Sequence, residues 1–85
     1  MGYNKTMYYV YILESKKDKT KYIGATADLK NRLLEHNNLE TKSNKSRTPY
    51  KIVWYCVFAD KHKAYNFERY LKSSSGYAFT KKRLV

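Results

Sequence analysis

Five side chains carry most of the chemistry open to this chain: Tyr11, Tyr22, Arg32, His36 and Glu68. Tyr11 and Tyr22 lie in two short aromatic stretches, and Gly24, next but one to Tyr22, lets a backbone or ligand come close. A phenol can hydrogen-bond a phosphate with no reaction implied. It accepts a proton from water only where nearby cations pull its pKa down from about 10. Arg32 offers a planar fork of donors that matches phosphate oxygens and can stabilise the charge of a pentacoordinate transition state. Its plainer role is a surface ion pair with Asp28 or Glu35, one helical turn away. Glu68 is the only acid from Lys61 onward, among seven Lys and Arg. A hard cation such as Mg2+ often takes one protein carboxylate, with water and substrate phosphate completing its shell. The plainer alternative is an ion pair with Lys61 or Lys72. His36 can bind metal, shuttle a proton, or simply favour the end of a helix dipole. With His62 and Cys56 it makes no zinc pattern.

The elements that must position these groups follow from the apolar pattern. Residues 7–13, MYYVYIL, have the composition and length of a strand. Alternation puts Tyr9, Tyr11 and Leu13 on one face and Tyr8, Val10 and Ile12 on the other. Both faces are apolar or aromatic, so this strand is expected to be central or covered on both sides. The polar run 15–20 reads as a hairpin turn without a glycine. A second strand, residues 21–25, then shows Tyr22 and Gly24 on one face and Ile23 on the other. Thr26 or Asp28 caps a helix over residues 29–36, with Leu29 and Leu33 as its buried stripe and Arg32 and His36 beside it. Residues 37–49 form a polar loop longer than most, and its Lys42, Lys45 and Arg47 are candidate substrate contacts.

Residues 50–58, YKIVWYCVF, form the most apolar strand and are expected at the sheet centre. Asp60 caps a helix over residues 61–72 that buries Ala64, Phe67 and Leu71 and sets Glu68 beside them. Gly76 is expected as a left-handed cap, before a last helical stretch anchored by Phe79 and Leu84. The order β-β-α-β-α-α predicts an α+β fold, a small three-stranded antiparallel sheet flanked by helices. Residues 1–6 read as a flexible leader and residues 7–85 as one domain.

Eighteen Lys and Arg against seven Asp and Glu give a formal net charge of +11 on 85 residues. Such a field draws polyanions, so nucleic acid is the expected partner. A membrane is not expected, because the chain has neither a basic amphipathic helix nor an apolar run of about 18 residues. Cys56 stands alone, so no internal disulfide forms, and it reads as a small buried hydrophobe. No secretory signal pattern opens the chain, so a cytoplasmic location is expected.

Tyr9-Val10-Tyr11, then Tyr22-Ile23-Gly24 about ten residues on, then Arg32 in the next helix and Glu68 in a later one, together resemble the GIY-YIG nuclease family. The phrases YVYIL, YIG, LKNRLLEHN, RTPYKIVW, ERYLK and KKRL are similar to its short stand-alone members. Tyr9 stands where the first motif has its glycine, and a late asparagine of well-studied members has no counterpart. The resemblance implies an endonuclease that hydrolyses nucleic-acid phosphodiester bonds with one Mg2+ or Mn2+ ion, DNA ahead of RNA, in repair or recombination. It implies that Tyr11 and Tyr22 line the site and that one of them is the general base. Arg32 would hold the scissile phosphate, Glu68 the metal, and His36 would assist proton transfer or substrate positioning. The alternative is a non-catalytic or weakly catalytic nucleic-acid-binding module using the same basic cleft.

Overall fold

Strand β1 (Tyr8–Ser15) is the spine of the molecule, because both of its faces are apolar and both are covered. A computed structural model describes residues 6–37 and 49–84. Its remaining elements are β2 (Lys21–Thr26), α1 (Leu29–Asn37), β3 (Tyr50–Phe58), α2 (Lys61–Leu71) and α3 (Ser74–Phe79), followed by a π-helical turn, Thr80–Leu84. The three strands make one antiparallel sheet in the order β2-β1-β3. The fold is therefore the α+β arrangement expected, with β1 and α1 each running a little past the predicted ends. Residues 1–5 of the predicted leader lie outside the described residues, as do Lys42, Lys45 and Arg47.

Two cores lie on opposite faces of the sheet. Val10 packs with Ala64 and Leu71 of α2, ringed by Ile23, Trp54, Phe58, Phe67 and Phe79. Tyr11 and Leu13 face the other way and pack with Tyr50, Leu29, Leu33 and Ile52. This is the alternation read from β1.

Strand β3 corrects one expectation: it is an edge strand, paired with β1 alone among the described residues. Its apolar run misleads because a bulge shares it between the two cores. Trp54 lies opposite Ile12 and Ile52 opposite Leu13, so Val53 is the extra residue. Ile52 and Trp54 therefore face opposite sides despite their even spacing. Toward the strand's end Tyr55 and Val57 are 52% and 47% exposed, as an edge allows.

The glycine-free hairpin closes through side chains. Ser15 Oγ accepts from Lys17 and Asp18 N–H at 3.1 and 3.3 Å, and Asp18 Oδ1 accepts from Thr20 N–H at 3.0 Å. Lys19 takes the left-handed conformation, φ 64°, that a glycine would ordinarily supply.

Gly76 also departs from expectation. No glycine among the described residues has positive φ, and Gly76 sits inside α3, whose cap is Ser73. Its role is close approach: a Cβ there would lie 2.6 Å from Leu71 Cα and nearer still to the Tyr70 carbonyl oxygen. Helix α2 starts as expected, with Asp60 Oδ1 accepting from the N–H groups of His62 and Lys63 at 2.7 and 3.2 Å.

Candidate active site

Tyr11 is only 2% exposed, yet its ring finds room because its partner across the strands is Gly24. A Cβ on Gly24 would lie 2.6 Å from Tyr11 Cζ and closer still to the hydroxyl. Gly24 is thus the space that the phenol occupies. Tyr22, two residues earlier on β2, shares that face and is 40% exposed. The two rings stack at 6.4 Å with an interplanar angle of 24°.

Helix α1 lies over this face. Asp28 is its cap, its Oδ1 accepting from Asn31 N–H at 3.1 Å, while Thr26 Oγ1 accepts from Asp28 N–H at 3.1 Å. Both candidate cap residues therefore bond at this helix start. Leu29 and Leu33 pack on the sheet, which brings the end of the helix to the tyrosines. The His36 ring centroid is 4.6 Å from that of Tyr22 and 5.8 Å from that of Tyr50. Next to it, Asn37 ties α1 to β3: its Oδ1 accepts from Tyr50 N–H at 2.7 Å and its Nδ2 donates to Tyr50 O at 3.2 Å. Asn37 and Tyr50 were missed from sequence. The one available signal was an amide and a tyrosine at opposite ends of a long loop.

Arg32 and Glu68 are each paired within their own helix. Arg32 Nε is 3.7 Å from Glu35 Oε1, and Lys72 Nζ is 2.9 Å from Glu68 Oε2. The Glu68 side chain is 18% exposed, at the margin of the buried stripe formed by Ala64 and Leu71. The Arg32 pair is exposed on both sides, the sort worth about 0.3–0.5 kcal/mol, so a phosphate can displace it readily.

The charges converge on Tyr11. Burial raises its pKa well above the ordinary tyrosine value; Tyr22, Glu68 and Glu35 raise it further, while Arg32 lowers it. The free protein therefore does not meet the condition for a phenolate base, because burial outweighs the nearby cation. Tyr11 stands protonated, as a hydrogen-bond donor. The pKa of His36 moves down, first from burial and then from Arg32, with Glu35 opposing, so its imidazole is neutral at pH 7.

Among the described residues no three His, Cys, Asp or Glu side chains gather as a metal site. A lone carboxylate suits a hard, mostly hydrated cation, so Glu68 fits one Mg2+ or Mn2+ provided Lys72 gives way. Tyr9, in place of the motif glycine, has its ring centroid 6.1 Å from that of Tyr55, tilted at 51°, and lines a hollow of about 450 Å³ with Leu29, Leu33 and Ile52.

Sequence and fold comparisons place the chain among known proteins. A family model described as the GIY-YIG catalytic domain matches residues 7–82. A UPF0213 protein of Clostridium perfringens is 40% identical over 67 residues, which span 78% of this chain and 71% of that one. A UPF0213 protein of Streptococcus pyogenes is 42% identical over 65 residues, 75% of this chain and 70% of its own length. The solution NMR structure of a UPF0213 protein from Bacillus halodurans superposes with a TM-score of 0.56 at 29% identity, covering 92% of this chain and 86% of that one. The chain belongs to the GIY-YIG catalytic-domain family, a family of nucleases that act on nucleic acid.

Proposed function

We propose that this protein is a divalent-metal-dependent endonuclease that hydrolyses phosphodiester bonds, with DNA as substrate, in the cytoplasm. The observation that carries the reading is one buried phenol, Tyr11, seated over a glycine that makes room for it and stacked on the exposed Tyr22 ring at 6.4 Å, with Arg32 of α1 and Glu68 of α2 near enough to move its pKa in opposite directions. A cation bound at Glu68 would supply charge neutralisation of the phosphate and its leaving oxygen. The chain's own groups do the rest. Arg32 exchanges Glu35 for the scissile phosphate and stabilises the charge that builds in the transition state. Tyr11, held protonated, donates to a phosphate oxygen. His36, neutral and against the Tyr22 ring, is the acceptor for a proton leaving the attacking water, directly or through the Tyr22 hydroxyl.

One observation favours a second reading, a binding module with little turnover: Arg32 and Glu68 already have partners in their own helices. Glu68 separates the two. Labelled branched, single-stranded and duplex DNA are incubated with Mg2+ or Mn2+ and with wild type, Glu68→Ala or Arg32→Ala. The nuclease reading expects metal-dependent products that vanish in Glu68→Ala with binding retained, and at least about a hundredfold slower cleavage in Arg32→Ala. Tight binding without products from any of the three proteins means the binding module.

A further inference from the structure

On the face of the sheet opposite Tyr11 and Tyr22, a cavity of about 470 Å³ opens between the β1–β2 hairpin and the helical C-terminal segment. Its floor is Ile12 and Ile23, partners across β1 and β2. Three ammonium groups border it, from Lys19, Lys21 and Lys81. Tyr77 forms one wall, 63% exposed, with Lys81 Nζ 5.7 Å from its ring centroid. Thr80 forms the back, and its buried hydroxyl has no hydrogen-bond partner among the described residues.

We propose that this pocket binds one unpaired nucleotide of a nucleic-acid strand, with the base against Tyr77 and the isoleucine floor and the phosphate among the lysines. The proposal rests on the nuclease reading for the identity of the strand, but its site shares no residue with the candidate active site. The composition selects the ligand. A bare phosphate would leave the apolar floor and the tyrosine unused, and an apolar ligand would make no use of the three lysines. A nucleotide uses both, because an aromatic face and a cation beside it are what single-strand binding requires. The base must be unpaired, since a base stacked inside a duplex offers no face to Tyr77. Lys21 is free to turn toward a phosphate: its partner Glu14, at 3.0 Å, also has Lys51 at 3.6 Å. The unbonded Thr80 hydroxyl would gain a partner in a sugar or phosphate oxygen.

The test is fluorescence anisotropy of a labelled single-stranded oligonucleotide with the full chain, without added metal, comparing wild type with Tyr77→Ala and Lys81→Gln. Both side chains are exposed, so neither change disturbs a core. Tyr77→Ala is expected to weaken binding about tenfold, the scale of one lost base stack. Lys81→Gln is expected to weaken it several-fold and to flatten the salt dependence by about 0.7 in log–log slope. Affinities within about twofold of wild type for both variants would overturn the pocket, as would an equal loss by Tyr77→Ala on a blunt duplex of the same sequence. In competition, a nucleoside monophosphate should displace the strand at lower concentration than inorganic phosphate; equal potency would mean an anion site only and sink the proposal. If wild type cuts no substrate while the variants still lose binding, the pocket stands and the nuclease reading falls. If wild type cuts and the variants bind normally, the reverse holds.

Discussion

Gly24 and Tyr11 act as one unit, which makes the smallest possible substitution informative. Tyr11 is sealed at 2% exposure, so its ring cannot swing away from an added methyl group. Gly24→Ala should therefore cost about 1–3 kcal/mol of stability, as overpacking does, read as a lower urea midpoint. It should slow cleavage out of proportion to that loss, because the displaced group is the phenol itself. His36 gives a second prediction at this scale. Its folded-state pKa lies below the ordinary 6.5, chiefly from burial. The unfolded chain therefore binds a proton first as pH falls. The stability linked to neutral His36 is complete above about 6.5 and is lost as pH drops from there through the lowered folded value. Urea unfolding of wild type at pH 7.5 and 5.5 should show that loss, and His36→Gln should show less of it. Cleavage should lose its acid limb in the same variant if His36 accepts the proton.

The joint between α1 and β3 hangs on Asn37, whose amide satisfies both backbone groups of Tyr50, itself 4% exposed. Asn37→Ala strands a buried N–H and C=O and should cost about 1–3 kcal/mol, a fall in melting temperature of roughly 4–8 °C for each kcal/mol lost. Asn37→Asp keeps the acceptor and should fall between alanine and wild type. This joint shows where sequence reading stops. The two faces of β1 were legible because alternation is local, and so were the Asp28 and Asp60 caps and the pairs Arg32–Glu35 and Glu68–Lys72, all within one helical turn. The Asn37–Tyr50 bonds span a loop, and no local pattern announces them. The edge position of β3 was hidden because its hydrophobic residues serve both cores, and Val53 shifts them between faces without changing composition. Gly76 was misread because a glycine at a helix end looks the same whether it supplies positive φ or only the absence of a Cβ. The tyrosine pair was half legible: strand alternation puts Tyr11 and Tyr22 on one face, where their rings stack, but burial, which sets the direction of Tyr11's pKa, is a property of the assembled fold.

At the scale of the whole molecule, the described cations lie on both faces of the sheet. Arg32 lies with the candidate active site on the α1 side; Lys19, Lys21 and Lys81 ring the pocket on the other side. The route between them passes the open edge of β2, a strand of six residues with Tyr22 and Gly24 on one side and Lys21 and Ile23 on the other. A strand cut at Tyr11 and gripped beside Tyr77 would fold around that edge. Its affinity should then depend on contacts at both faces, each releasing counterions as a phosphate is neutralised. Four such contacts on a single strand predict a log–log salt slope of roughly −3, at about −0.7 per contact. Removing one charge from each face, as Arg32→Ala with Lys81→Gln, should flatten the slope by the sum of the single effects, about 1.4, because the two sites share no partner. A double variant no flatter than one single variant would mean that the two faces are never occupied by the same strand. The pocket would then hold a strand of its own, and cleavage by wild type should be indifferent to Tyr77→Ala; with one strand on both faces, Tyr77→Ala should raise the KM for single-stranded substrate and leave kcat near its wild-type value.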